Sequence, residues 1–251
     1  MGISMLTEKR QEEILKLLDS NGSVTVQELK DKFGASESTI RRDLNALDSR
    51  GVLVKVFGGA VKNELKLQVK EEEVARRIEY NKAEKERIGK YAASLIVPGD
   101  FVYLDAGTTT GAMIPYLEQK DVTYVTNAVS HGLQLAEKGC HVILIGGELK
   151  AVTEAIVGNE AYHNLQKFNF TKGFFGTNGA DIKAGFTTPD MNESLIKECA
   201  MKHTREVYVL CDSQKFHQIC PIRFAKFEEA VVVTDVIPDA SYEKCTNIKV
   251  V

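Results

Sequence analysis

The stretch "YLDAGTTTGA", Tyr103 to Ala112, decides how the larger part of the chain is read. An apolar, strand-like run ends in Asp105. Gly107, Thr108, Thr109 and Thr110 follow before a helix-like segment. Such a loop offers successive backbone N–H groups, three hydroxyls and a helix N-terminus, a combination that suits a phosphate. Moving outward, strand-like runs recur as "FVYLD", "VTYVT", "VILIG", "GFFGT", "VYVLCD" and "AVVVT". Helical stretches such as "AVSHGLQLAEKG" and "MNESLIKECAMKH" separate most of them. The alternation predicts an α/β domain with a mostly parallel sheet, whose ligands gather at the C-terminal strand ends.

What ends each strand is therefore informative. The second run closes on Thr126 and Asn127, the third on Gly146 and Gly147, and the fourth on Thr177, Asn178 and Gly179 with Asp181 beyond. The fifth closes on Asp212, with Lys215 three residues on. Asp and Asn suit sugar hydroxyls, and Lys215 supplies a cation. Each piece alone has a plain reading. Gly and Thr are turn residues, Asp is a helix cap, and most lysines are solvated. The coincidence of five strand ends favours a phosphosugar-like pocket. The histidines are dispersed, and no cofactor or metal is expected.

The first 62 residues have a different grain. A helix follows Thr7 and buries Ile14, Leu15, Leu17 and Leu18, and Asn21–Gly22 ends it. "TVQE" fits a capping box on Thr25 and Glu28, opening a second helix that Gly34 stops. A third follows Ser36 and runs toward Gly51. At about 100° per residue, Ile40, Leu44 and Leu47 share its inner side. Ser38, Arg42 and Asn45 lie opposite, with Thr39 and Arg41 on the flanks. Such an outer face suits a major groove, where Arg reads guanine, Asn reads adenine and hydroxyls hold phosphates. "VLVKVFGGAV" then predicts a hairpin turning at Gly58–Gly59, with Lys55 as a basic wing residue. Residues 41–62 hold five Lys or Arg against two Asp, a local excess placed where phosphates would lie. A three-helix unit of this kind also serves protein docking.

The net charge of the whole chain is −3, so its basic character is local. Hydrophobic residues make up 43% and charged residues 27% of 251, within the range of a soluble globular protein. Five scattered cysteines without a CxxC pair suit a reducing cytoplasm. No apolar run approaches a membrane span, no signal peptide or myristoylation pattern is read, and Met5 is an alternative start. The expected organisation is a winged helix-turn-helix over 1–62, a linker over 63–80 and an effector-sensing domain over 81–251. Its opening helix carries Ile88, Ala92, Leu95 and Ile96 at helical spacing.

"SESTIRRDLNALDSRGVLVKVFGGAV" closely resembles the signature of DeoR-type repressors, with Lys55 and Phe57 where many members carry Arg and His. "YLDAGTTT", "VTN", "IGGEL", "FFGTNGAD", "GFTTPDMNE" and "LCDSQKF" resemble the effector domain of the same family. The likeness spans nearly the whole chain and is greatest to fructose-operon repressors. It implies DNA contacts from Ser36, Ser38, Thr39, Arg41, Arg42, Asn45 and Lys55. It also implies a C-terminal fold like ribose-5-phosphate isomerase, and a sugar phosphate inducer such as fructose 1-phosphate. Fructose 1,6-bisphosphate and tagatose 6-phosphate share the same handle.

The isomerase relatives carry an Asp-Gly-Ala-Asp turn and a helix Glu. Here the turn reads "NGAD", with Asn178 replacing the first acid, Asp181 retained and Glu193 in the place of the helix Glu. An amide hydrogen-bonds a hydroxyl but cannot move a proton as a base must. The substitution favours sensing over turnover. Two other readings stand beside the repressor: an isomerase fused to a helix-turn-helix module, and an adaptor without DNA contact. As a repressor, the chain is expected to act as a homo-oligomer on repeated operator half-sites. Its coupling element is expected near residues 84–97.

Overall fold

The computed structural model describes residues 7–21, 23–49, 52–56, 58–62, 74–118 and 121–251. Met5, Gly22, Gly51, Phe57 and the first part of the expected linker lie outside the described residues. The chain divides into two compact units, Met1–Lys66 and Leu67–Val251.

The first unit runs α1 (Thr7–Asn21), β1 (Ser23–Thr25), α2 (Val26–Phe33), α3 (Glu37–Ser49), β2 (Leu53–Val56) and β3 (Gly59–Lys62). Its core joins Ile14, Leu18, Leu29, Ile40, Leu44, Leu47 and Leu53. Burying each such side chain contributes roughly 1.5–3 kcal/mol. The capping box at α2 forms as expected. Glu28 N–H donates to Thr25 Oγ1 at 3.1 Å, and Thr25 N–H donates back to Glu28 Oε2 at 2.7 Å. The hairpin differs in one respect. Gly58 sits in the turn at φ 83°, whereas Gly59 is already a strand residue paired with Val56 and Thr25. A Cβ on Gly59 would lie 2.1 Å from the Val24 carbonyl oxygen, so this glycine serves the close approach of β1. The sheet order β1-β3-β2 completes a winged helix-turn-helix.

The second unit opens with α4 (Val74–Glu79), α5 (Lys82–Ser94), β4 (Phe101–Leu104), α6 (Thr108–Gly111), β5 (Thr123–Thr126), α7 (Val129–Glu137) and β6 (His141–Leu144). It continues with β7 (Glu148–Lys150), β8 (Ala155–Val157), α8 (Asn159–Leu165), β9 (Phe170–Gly176), β10 (Gly179–Asp181) and β11 (Gly185–Thr188). It closes with α9 (Met191–Lys202), β12 (Thr204–Leu210), β13 (Ile222–Ala225), β14 (Val231–Thr234) and β15 (Ile248–Val250). Seven strands pair in the order β15-β14-β12-β9-β4-β5-β6, all parallel. Alternation along β4 sends Val102 and Leu104 to one face with Ile88, Ala92 and Ile96, and Tyr103 to the other with Phe175, Ile196 and Val209. Six of these strands match the six apolar runs, and β15 is an addition. So are the β7–β8 hairpin and the antiparallel sheet β10-β11-β13. α4 lies within the stretch read as linker.

Sheet order reverses between β9 and β4, with β5 and β6 on one side and β12, β14 and β15 on the other. Such a switch point opens a crevice outside the carboxyl ends of its strands.

Candidate functional site

In the first unit, α3 presents the expected face. Ile40, Leu44 and Leu47 are fully buried, while Ser38, Arg41, Arg42 and Asn45 are exposed and Thr39 is half-buried. Ser36 Oγ accepts from Thr39 N–H at 3.2 Å and lies within 2.9 Å of the Ser38 hydroxyl. The helix therefore begins in a cluster of hydroxyls. Lys55 Nζ donates to Asn45 Oδ1 at 2.5 Å, tying wing to helix. Arg41 is held by Glu37 at 2.8 Å, one turn away, whereas Arg42 has no side-chain partner among the described residues. The guanidinium most available to a base edge is thus Arg42. Behind this face, Arg10 Nε donates to Asp43 Oδ2 at 2.5 Å and Arg10 Nη2 to Asp43 Oδ1 at 3.2 Å, both groups buried. The acid of "IRRDL" thus anchors α3 to α1.

In the second unit, the crevice between β4 and β9 is lined as the strand ends dictate. Asp105 closes β4 and is 1% exposed. Its Oδ2 accepts from Gly176 N–H at 3.0 Å and forms an ion pair with Lys197 of α9. Full burial pushes the Asp105 carboxyl above its ordinary range, against the pull of Lys197 and the Gly176 amide. The loop beyond divides its labour. Thr110 Oγ1 donates to the Asp105 and Gly107 carbonyls, closing the turn from within. Thr108 and Thr109 leave their hydroxyls without protein partners among the described residues. The first-turn amides of α6 have no intrahelical acceptors. Beneath the loop lies His131, buried and held neutral with a pKa lowered to about 4 by burial.

At the end of β12, Asp212 Oδ1 accepts from Gln214 N–H at 3.1 Å and from Asn81 Nδ2 at 3.0 Å. Its Oδ2 is buried without a partner among the described residues. Lys85 of α5 lies within electrostatic reach of this carboxylate and of Lys215 and Arg77. Burial pulls the Lys85 pKa down to about 8, opposed by Asp212 and assisted by Lys215 and Arg77. α5 and α4 both pack on α6, which brings these cations to the loop. Lys85, Arg77, Asn81 and Lys197 were not singled out in the sequence. The break between α4 and α5 at Asn81, in the left-handed region at φ 52°, sets the positions of the first three, and helical spacing does not reveal it.

Six expected pocket residues have other duties. Asn127 is internal: its Oδ1 accepts from Tyr103 Oη at 3.1 Å and Ala106 N–H at 2.9 Å, and its Nδ2 donates to the Ile156 carbonyl at 3.2 Å. Thr126 is fully buried and accepts from Ala128 N–H at 3.1 Å. Asp181 closes the β10–β11 turn by accepting from Lys183 N–H and Ala184 N–H, each at 2.8 Å. Gly146 and Gly147 line a separate cleft of about 480 Å³ with Glu148, Val157, Asn159, Glu160 and Asn164, which none of the other expected pocket residues lines. At φ 153°, a Cβ on Gly147 would lie 2.7 Å from the Val157 carbonyl oxygen, so the glycine answers to packing on β8. Glu193 accepts from Thr153 Oγ1 at 2.6 Å and pairs with Lys150 at 3.3 Å. Asn178 is half-buried with its amide free among the described residues.

Comparison with known proteins follows this division. Residues 10–66 match the DeoR-like helix-turn-helix domain, and residues 80–236 match the DeoR C terminal sensor domain. The chain is 40% identical to the uncharacterized HTH-type transcriptional regulator FruR of Bacillus subtilis (strain 168), covering 98% of this chain and 99% of that protein. It is 33% identical to the lactose phosphotransferase system repressor of Staphylococcus aureus (strain NCTC 8325 / PS 47), covering 96% of each. Among solved structures, ribose 5-phosphate isomerase A from Methanocaldococcus jannaschii aligns at 14% identity and TM-score 0.41, over 54% of this chain and 55% of that one.

Proposed function

The chain belongs to the DeoR family of helix-turn-helix transcriptional regulators, and on that premise we propose that it represses a sugar-utilisation operon, with fructose the sugar. A phosphorylated sugar such as fructose 1-phosphate releases it from its operator. The observation that carries the effector reading is the incompletely neutralised cluster at the end of β12. Lys85 is buried within electrostatic reach of Lys215, Arg77 and Asp212, and the second oxygen of Asp212 has no partner among the described residues. A dianionic phosphate balances the excess cations. Thr108 and Thr109 offer their hydroxyls to the same ligand.

The protein acts by binding rather than by turnover. Asn178 cannot serve as a base, Asp181 is engaged in its turn, and Asp105 is paired with Lys197. The free Arg42 on α3 reads the operator, with Ser36, Ser38, Thr39 and Asn45 around it and Lys55 on the wing. A homo-oligomer sets two such faces on repeated half-sites. Effector release then requires a ligand that favours the conformer in which those faces no longer match the operator.

The test is fluorescence anisotropy of the full chain on promoter DNA flanking its own gene. Binding should weaken steeply with salt. Fructose 1-phosphate, fructose 1,6-bisphosphate and tagatose 6-phosphate are titrated against the complex. Release by one of them, and by neither fructose nor inorganic phosphate, is the expected result. Replacing both Thr109 and Lys215 with Ala should keep DNA binding and remove the response. Isomerisation of any of these sugars by the purified protein, or retention of the response in the double variant, would overturn the reading.

A further inference from the structure

The effector cluster is built partly from the end of the stretch read as linker, and that segment is lightly held. α5, where coupling was expected, is a poor moving part, because Ile88 and Ala92 are fully buried in the core. Residues 74–81 are different. Val74 N–H donates to the Val152 carbonyl at 3.3 Å, at the tip of the β7–β8 hairpin. Asn81, in the left-handed region at φ 52°, reaches Asp212 Oδ1 through its amide. The Arg77 carbonyl accepts from the Lys85 ammonium. Between these ties, Ile78 and Tyr80 are 46% and 54% exposed, so little apolar burial holds the segment down. It therefore crosses the crevice as a strap, fastened at the hairpin, at the loop helix α6 and at the end of β12.

Charge gives the strap a direction of movement. Arg77 on the strap and Lys215 both act electrostatically on Lys85, opposed by Asp212. Like charges repel, and an anion placed among them reverses the sign. We propose that residues 74–81 are the coupling element of the protein: bound sugar phosphate draws the strap onto the strand ends and immobilises the opening segment of the second unit. The proposal rests on the sugar phosphate reading of the site and adds how the site is heard upstream. Linkage makes the effect reciprocal, so loosening the strap weakens the coupling between ligand and operator.

Hydrogen exchange on the full chain tests it, with fructose 1-phosphate as the probe and isothermal calorimetry alongside. Binding should slow exchange over residues 74–81 by about tenfold, while α5 changes little. A second arm uses Val74→Pro. Proline is tolerated at the first position of a helix and deletes the N–H that holds Val152. This variant should still bind the ligand and the operator, yet need about tenfold more ligand for release. Ligand binding with unchanged or faster exchange over 74–81 overturns the strap and leaves the sugar phosphate reading standing. So does a Val74→Pro variant with wild-type release. No calorimetric binding of fructose 1-phosphate, fructose 1,6-bisphosphate or tagatose 6-phosphate overturns the sugar phosphate reading and the strap with it.

Discussion

Arg10 and Lys85 are equally buried, each with 5% of its surface exposed, and the two units treat them in opposite ways. Arg10 meets Asp43 through two hydrogen bonds, and Gln11 adds a third to the same carboxylate at 3.4 Å. Lys85 donates to a peptide carbonyl and has no ion-pair contact among the described residues. The first charge is matched within its own fold. The second is desolvated and left for something else to match. Buried charges are expected to be paired, so an unmatched one marks either a fault or a ligand. Lys215 and Arg77 act on Lys85 in the same direction as its desolvation, and Asp212 opposes them.

The comparison is broken most easily at its larger end. Asp43→Ala takes the Asp43 carboxylate away from the buried Arg10 guanidinium, and stability of the first unit should fall by about 3–5 kcal/mol. Chemical denaturation followed by operator binding would show the loss in both. A fall below about 1 kcal/mol would mean that α1 and α3 are held by packing alone and that the matched charge is incidental. Arg42→Ala tests the exposed side of the same helix. It should weaken specific operator binding by about 1–3 kcal/mol with the melting temperature unchanged. Arg41→Ala should do less, because Glu37 already occupies that guanidinium. Equal losses from the two would place both arginines on phosphates.

Both regions were legible in the sequence, to different depths. The outer face of α3 follows from helical period alone, and the capping box at Thr25 and the stop at Gly34 are local chemistry. Six apolar runs became six adjacent members of the parallel sheet, because strands buried on both faces read as continuous hydrophobic runs. Contacts between distant residues were not legible. Lys197 meets Asp105 across 92 residues, and Asn81 meets Asp212 across 131. No local pattern distinguishes a lysine that closes such a pair from one in solvent. Thr126 and Asn127 show the converse error. They do stand at a strand end, but burial turned their polar groups inward to satisfy the backbone of the loop. Strand ends can be located by sequence pattern, while the direction of each side chain depends on which neighbour needs a hydrogen bond. Strand β15, three residues long, was too short to signal itself.

The last prediction has the smallest effect and separates the two kinds of buried charge by sign. Lys85→Met keeps the stem and removes a charge that folding desolvates. The variant should be as stable as the parent or more so when unliganded, the reverse of Asp43→Ala, and it should lose the response to sugar phosphate. The pH dependence follows from the same imbalance. Lys85 titrates at about 8 in the folded protein against an ordinary 10.5, so between these values the unfolded chain binds more protons. Stability of the second unit should therefore rise as pH climbs from about 8 to about 10.5, and the rise should be missing in Lys85→Met. Ligand affinity should move the other way over the same interval, since a phosphate prefers the ammonium that the rising pH removes. Thermal melts at several pH values, with and without fructose 1-phosphate, measure both slopes at once. Parallel slopes for the parent and Lys85→Met would show that the charge is already balanced inside the fold and that Lys85 belongs with Arg10 after all.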